Sequence, residues 1–174
     1  MLDSRGDAYL LLRKLGAPPR LLLHLELVGE AADLLVGAYI SLGLRFDAKL
    51  IELGVAVHDA GKIVYPEELN APGARHEESG EALMLAHGVQ PEVARCCVTH
   101  AAWQGQDVSL EERSVALADK LWKGKREETL ELCVIDDVAG RLGIGRWDVF
   151  ATLDSVFEEI AAEGTVRLQR SNAV

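Results

Sequence analysis

The adjacent His58 and Asp59 are the residues whose types and position most directly suggest chemistry. They follow an apolar stretch, residues 51–57, that predicts a buried helix, and Gly61 falls where a left-handed helix cap is expected. A carboxylate at the carbonyl end of a helix is unfavourable by roughly 0.3–1 kcal/mol, and burial adds to that cost. A bound dication would remove both penalties. The doublet therefore predicts paired metal ligands, and the alternative is a chance dipeptide at a helix end.

Four further residues could complete such a site, namely His24, His76, His100 and Asp119. Each of them lies in or at the edge of a different predicted helix, and Asp119 stands inside an apolar segment, where a carboxylate needs a partner. Side chains from separate helices can converge on a metal in the interior of a helical bundle. Imidazoles mixed with carboxylates suit manganese, iron, nickel, cobalt or zinc better than calcium.

Helical periodicity runs through most of the chain, so we expect helices to position these residues. Asp47 is expected to cap the helix before His58, and Ser109 with Glu112 forms a capping box before Asp119. No strand pattern is long enough to require a sheet. We therefore predict a single all-α domain of about seven helices over residues 1–164, followed by a polar tail at 165–174. The last helix carries an apolar stripe that we assign to the core: Trp147, Phe150, Leu153, Phe157 and Ile160.

Composition narrows the possible partners and the cellular compartment. The chain has 174 residues and a net charge of −10, whereas nucleic-acid binders and membrane-surface proteins need a basic face. The first residues do not resemble a secretory signal, and no apolar run is long enough to span a bilayer. The three cysteines lack the spacing of a disulfide framework, so a cytoplasmic protein is expected, with Cys96 as a small buried hydrophobe.

The order of these residues, H…HD…H…H…D, resembles the HD-domain superfamily of metal-dependent phosphohydrolases. The resemblance covers residues 22–126, and the bacterial diadenosine-tetraphosphate hydrolases of the superfamily show a similar series. Phosphodiesterases with an added Gly-Tyr-Pro motif share the HDxGK phrase, but that tripeptide does not follow His100, so a cyclic dinucleotide substrate is less favoured. The supporting phrases are Gly61-Lys62, HEESG at residues 76–80 and LADKL at residues 117–121.

The resemblance implies one or two divalent transition metals, from among iron, manganese, nickel, cobalt and zinc, with magnesium also allowed. One metal would be held by four residues, while two extra histidines and a bridging carboxylate would hold the second. The implied ligands are His24, His58, Asp59 and Asp119 for the first ion, and Asp59, His76 and His100 for the second.

The expected activity is hydrolysis of a phosphate ester or anhydride in a nucleotide or another small phosphorylated metabolite. A metal at an open site lowers the pKa of bound water from 15.7 to about 7 and polarises the phosphoryl oxygen. Lys62, Lys123 and Arg126 are the candidate phosphate contacts, with a solvent-exposed lysine or a solvated helix end as the alternatives. Glu77 or Glu78 could act as the general acid, although both also suit a helix N-terminus.

Two other functions are compatible with the same pattern. Some members of the superfamily that hold two irons are oxygenases, and six nitrogen and oxygen ligands could hold such a pair. A non-catalytic domain could instead bind a nucleotide or a partner and keep its metal as a structural clamp. Complete ligand positions favour an enzyme, because a binding module has no need for an open metal position.

Overall fold

The computed structural model describes residues 1–172, and every regular element in that range is a helix, which confirms the predicted all-α fold. Two short 3-10 helices, Ala60–Ile63 and Pro66–Leu69, lie between the third and fourth α-helices. The α-helices in this range are α1 Arg5–Lys14, α2 Pro19–Ser41, α3 Ala48–Val57, α4 Arg75–Ala86, α5 Pro91–Thr99, α6 Leu110–Leu121, α7 Glu128–Leu142, α8 Arg146–Ala162 and α9 Gly164–Ser171.

Local sequence signals fix where the site-bearing helices begin. The Asp47 side chain accepts a hydrogen bond of 3.0 Å from the backbone amide of Leu50 and caps α3. Ser109 and Glu112 form the predicted reciprocal capping box at the start of α6. Proline occupies the first position of α2 and of α5, where its missing N–H costs nothing. These caps set the register of the helices that carry the site.

Helix α3 lies at the centre of the fold and packs against α1, α2, α5 and α6. Its residues from Leu53 to Val57 are all buried, as the apolar sequence predicts. Gly54 permits the closest approach, because a Cβ atom there would lie 2.8 Å from both the Cys96 sulfur and a Val115 methyl group. The end of α3 is therefore held against α5 and α6, which is where the site forms.

Two groups of buried apolar residues flank this centre. One joins α2 and α6 to α7 and α8, with Tyr39, Leu117 and Phe157 fully buried, and the other joins α1, α4 and α5 to α3. The stripe on α8 contributes to the first group, but the assignment of Trp147 to the core is wrong, since this residue is 75% exposed. Trp147 lies in the first turn of α8 and stacks only beside Phe150 at the margin of the core.

The C-terminal segment is helical as far as Ser171, where a polar tail was predicted. Residues Gly164–Ser171 form α9, which contacts α2 and α8. The buried Arg167 donates a 2.7 Å hydrogen bond to the Ile160 carbonyl, and Arg170 makes a two-pronged ion pair with Glu30 on α2. These two arginine side chains thus hold the segment against α8 and α2, although its polar composition is typical of a tail. The part of the tail prediction that covers residues 173 and 174 lies outside the described residues.

None of the helices within residues 1–172 combines the length and the hydrophobicity needed to cross a bilayer.

Candidate metal centre

Six side chains from five regions of the chain converge at one end of α3. His58 follows the last residue of α3, Asp59 precedes the first 3-10 helix, and His100 follows the last residue of α5. His24 comes from the first half of α2, His76 from the first turn of α4 and Asp119 from the last turn of α6. The structure therefore brings together every predicted metal ligand: His24, His58, Asp59, His76, His100 and Asp119.

These residues form two clusters that are each able to hold a metal ion. In both clusters the potential ligand atoms lie within 4.8 Å of one another. In the first cluster Asp119 Oδ1 lies 3.6 Å from His24 Nε2 and 3.5 Å from His58 Nε2. Imidazole nitrogens and a carboxylate oxygen converge on a common space there, which is the donor set expected for a divalent transition metal.

The second cluster consists of Asp59, His76 and His100, and all three residues are buried. Asp59 Oδ1 lies 3.2 Å from His76 Nε2 and 3.6 Å from His100 Nε2. This group has the same ligand chemistry as the first but is assembled from α4, α5 and the start of the first 3-10 helix.

Asp59 lies between the two clusters, and its two oxygens face opposite groups. While Oδ1 faces His76 and His100, Oδ2 lies 3.0 Å from His24 Nε2 and 3.8 Å from His58 Nε2. A carboxylate that divides its oxygens in this way has the geometry to bridge two ions.

Hydrogen bonds at Nδ1 orient His58, His76 and His100 with Nε2 toward the centre, and the partner of His76 is the Glu68 carboxylate at 2.7 Å. His58 Nδ1 lies 2.9 Å from the Val55 carbonyl, and His100 Nδ1 lies 3.2 Å from a carbonyl of its own helix. These acceptors assign the proton to Nδ1 and leave the Nε2 lone pair available as a ligand. The Nε2 atoms of His24 and His58 are buried and have no hydrogen-bond partner among the described residues, so the site fits a metal.

The electrostatics of the centre favour the ligand forms of Asp59, Asp119 and His100, whereas the nearby carboxylates outweigh burial and raise the pKa of His58 and His76. Burial would raise the pKa of Asp59 and Asp119, but interactions with the adjacent His58 and His24 imidazoles hold the pKa of both carboxyls below the ordinary range. Burial, with a further contribution from His58, lowers the pKa of His100 to about 4. Ionised carboxylates and a neutral His100 are the protonation states that bind metals.

Gly61 is required at the centre for a reason that differs from the prediction. It lies in the first 3-10 helix without a positive φ, so the expected left-handed cap is wrong. A Cβ atom at this position would lie 1.8 Å from the backbone oxygen of His76. Glycine therefore allows the segment that carries Asp59 to pack directly on the start of α4, which brings Asp59 and His76 together.

A cavity of about 270 Å³ opens beside the first cluster. His24 lies in its wall, and the Trp122 ring meets the His24 ring edge-on with 4.9 Å between centroids. Among residues 1–172, those that line it include three cations and no carboxylate, and helix α9 supplies one side. They are Arg20, His24, Lys62, Leu69, Trp122, Lys123, Leu168, Ser171 and Asn172.

The predicted phosphate contacts divide into two groups. Lys62 and Lys123 line the cavity, and Lys62 Nζ lies 2.6 Å from Asp59 Oδ2. Arg126 instead lines a separate cavity, where it pairs with Glu131 at 2.7 Å and with Asp154 at 2.6 Å. Gly124 has a positive φ and turns the chain after α6, so closeness to Asp119 in sequence does not bring Arg126 to the site. We do not retain Arg126 as a phosphate contact.

The two candidate general acids differ in their surroundings. Glu77 is half-buried beside His76, whereas Glu78 is exposed. Burial raises the pKa of Glu77, while the charge of His76 opposes that rise. Glu77 therefore has the more enclosed position.

Sequence reasoning missed two residues near the centre. Arg20 lies one turn before His24 on α2 and lines the cavity, so helical spacing from a predicted ligand was the available signal. Glu68 is buried and lies 2.7 Å from His76 Nδ1. Burial would raise the pKa of Glu68, but hydrogen bonds from His76 and Arg75 lower it to about 2. No spacing rule identifies Glu68, because it lies in a 3-10 helix of a single turn, which is too short to show a periodic pattern.

Comparison of the chain with models of known protein families, with curated proteins and with solved structures finds no match.

Proposed function

We propose that this chain is a metal-dependent phosphohydrolase of the HD-domain superfamily. The observation that carries the proposal is the position of Asp59, whose Oδ1 faces His76 and His100 while Oδ2 faces His24 and His58. Hydrolases that use two metals need a bridging ligand of this kind to set the separation of the ions. The proposal also rests on the order of the motif along the chain.

Two divalent transition metals fit the two clusters better than one. Each cluster offers its own imidazole nitrogens, and Asp59 contributes one oxygen to each. When bound, such ions supply a hydroxide at neutral pH and offset charge on the transferring phosphoryl group. Buried histidines and carboxylates favour manganese, iron, cobalt, nickel or zinc over calcium.

The cavity beside the first cluster is the proposed substrate pocket. With a net charge of −10, the protein repels anions overall, so a phosphorylated substrate needs local cations. Arg20, Lys62 and Lys123 supply them in a wall to which the described part of the chain contributes no carboxylate. We infer a nucleotide or another small phosphorylated metabolite as the substrate, with the Trp122 side chain as an apolar surface in the same cavity.

In this proposal the general acid is Glu77, which follows the second-cluster ligand His76 and lies outside the lining of the cavity, so the leaving group must reach beyond the cavity toward the start of α4. The general acid must be close to the reacting bond and shielded from bulk water. Glu77 follows the ligand His76 directly and is half-buried, whereas the Glu78 side chain is exposed. Lys62, adjacent to Asp59 Oδ2, is placed to hold a phosphoryl oxygen near the ions.

The test is phosphate release from a panel of nucleotides and small phosphate esters with Mn²⁺, Fe²⁺, Co²⁺, Ni²⁺, Zn²⁺ or Mg²⁺ added. We expect turnover of at least one substrate by the wild-type protein and none above background by Asp59→Ala. Asp136→Ala is the matched control, because Asp136 is a surface carboxylate paired with Arg146. It should retain full activity.

Other outcomes would point to the alternative functions. Iron-specific oxygen consumption without phosphate release would support a di-iron oxygenase. Saturable nucleotide binding by the metal-loaded protein without turnover would support a non-catalytic domain. Either result would contradict the phosphohydrolase.

A further inference from the structure

Glu68 is a buried carboxylate that the proposed reaction does not use. It lies in the short helix Pro66–Leu69, eight residues before His76, and its side chain is 3% exposed. An ionised carboxylate is costly to bury unless hydrogen bonds compensate for the lost water. The position of Glu68 must therefore be explained by the groups around it.

All the hydrogen bonds of the Glu68 carboxylate come from the first two residues of α4. Oε2 accepts from His76 Nδ1 at 2.7 Å and from the His76 backbone amide at 3.1 Å. Oε1 accepts from the Arg75 backbone amide at 3.3 Å and from Arg75 Nε at 3.2 Å. The N-cap residue of this helix, Ala74, offers no side-chain acceptor, so Glu68 satisfies the free amides at this end.

The hydrogen bond to His76 differs from those of the other ligand histidines that have one. His58 and His100 use backbone carbonyls within three or four residues, at 2.9 and 3.2 Å. His76 instead contacts the negatively charged Glu68 carboxylate through Nδ1, on the side of its ring that faces away from the cluster. A carboxylate in this position fixes the imidazole with its proton on Nδ1 and makes Nε2 a stronger ligand.

The loop around Glu68 is shaped to enclose it. A Cβ atom on Gly73 would lie 2.3 Å from the carboxyl carbon of Glu68, so only glycine allows the loop to close there. Leu69 from the same short helix packs against the core beneath. The segment between Asp59 and His76 thus holds the Glu68 carboxylate against the His76 imidazole.

We propose that Glu68 is a positioning residue that determines how tightly the cluster of Asp59, His76 and His100 binds its metal. This inference rests on the metal centre of the proposed function. It predicts a selective effect, because Glu68 touches a ligand of the second cluster only, and the ligands His24, His58 and Asp119 keep their own contacts.

The experiment compares Mn²⁺ binding by calorimetry in the wild type, Glu68→Ala and Glu68→Gln, with Glu67→Gln as the matched control. Glu67 also pairs with Arg75 but is exposed and does not contact His76. In Glu68→Ala we expect one of two Mn²⁺ sites to weaken about 10- to 100-fold while the other is unchanged. Glu68→Gln should lie between Glu68→Ala and the wild type, and Glu67→Gln should match the wild type.

A second readout does not depend on metal or turnover. In ¹⁵N-labelled, metal-free protein, the His76 Nδ1 proton should give a downfield, slowly exchanging resonance because it donates to Glu68 Oε2 at 2.7 Å, and Glu68→Gln should shift this resonance while Glu67→Gln leaves it unchanged. A His76 Nδ1 resonance that is the same in the wild type and in Glu68→Gln would overturn the inference, even if Glu68→Ala failed to fold.

The experiment distinguishes a failure of the Glu68 proposal from a failure of the phosphohydrolase proposal. Equal Mn²⁺ affinities in the wild type and both Glu68 variants would overturn the role of Glu68 whatever the turnover. A wild-type protein with a single Mn²⁺ site would also overturn it. Selective weakening of one site in a protein that hydrolyses no substrate would support Glu68 and contradict the phosphohydrolase.

Discussion

At the scale of single residues, the proposed chemistry depends on buried polar atoms for which the described protein atoms supply no hydrogen bond and which a ligand could satisfy. His24 and His58 each bury an Nε2 atom without a hydrogen bond among the described residues. Lys62 by contrast is paired, with Nζ 2.6 Å from Asp59 Oδ2. This lysine lies where the candidate metal centre meets the cavity, so in the proposed reaction it would exchange its contact with Asp59 for one with a phosphoryl oxygen.

Lys62→Ala should lower kcat/KM about 10- to 100-fold, which corresponds to the loss of one charge-assisted hydrogen bond. Lys49→Ala is the control, because Lys49 forms an ion pair with Glu52 at the same three-residue spacing but on the exposed start of α3. Steady-state kinetics with elemental analysis of bound metal provide the measurement. Equal kcat/KM values for the two variants would remove Lys62 from the substrate site.

At the scale of elements, the six ligands could be predicted because they lie in helices or directly at helix ends and follow one another in a recognisable order. Helical spacing places His24, His58 and Asp119 reliably, and an acid inside an apolar helix signals its own need for a partner. Glu68 could not be found in this way, since it lies in a 3-10 helix of only four residues, which shows no periodicity. Arg126 was misplaced because the turn at Gly124, not its distance from Asp119 in sequence, decides its direction.

Helix α9 illustrates a second limit of sequence reasoning. Its composition is polar, yet Arg167 is buried by donating to backbone carbonyls and Arg170 pairs with Glu30. Composition alone cannot distinguish such docking arginines from solvated ones, because the acceptors belong to other elements. The helix matters to function, since Leu168 and Ser171 line the proposed substrate pocket.

Gly61→Ala tests the contact between the first 3-10 helix and α4. The added methyl group would meet the His76 carbonyl, so we expect a loss of about 3 kcal/mol in the free energy of unfolding and weaker metal binding. Gly37→Ala on the exposed face of α2 meets no atom within 4 Å and should be neutral or stabilising by up to about 1 kcal/mol. Urea denaturation compares the two variants. A Gly61→Ala protein as stable as the wild type would contradict the close packing.

At the scale of the whole molecule, a partly buried ion pair ties α6 to α7 and to the segment before α3. Glu111 on α6 accepts hydrogen bonds from Arg141 on α7 at 2.7 and 2.8 Å, and one of 2.9 Å from the Asp47 amide before α3. Burial opposes ionisation, but these hydrogen bonds outweigh it and hold the pKa of Glu111 below 4.5. One carboxylate therefore links three regions of the fold.

The pH dependence of stability follows from the lowered pKa of Glu111. Its contribution is fully present above its unfolded-state pKa of 4.5 and is lost as the pH falls through the lower folded-state pKa. We expect Glu111→Gln to lose about 1–3 kcal/mol at neutral pH, with the gap from the wild type narrowing below pH 4.5. Urea denaturation across this range measures the gap. A constant gap down to about pH 3 would contradict the assignment.

The central claim is that Asp59 bridges two metal ions. Elemental analysis of protein loaded with Mn²⁺, Fe²⁺ or Zn²⁺ and then freed of excess ions tests it most directly. We predict about two ions per chain in the wild type, about one in His76→Ala and less than one in Asp59→Ala, since His76 serves one cluster and Asp59 serves both. A folded wild-type protein that retains no ion, or an Asp59→Ala protein that retains as many as the wild type, would contradict the claim.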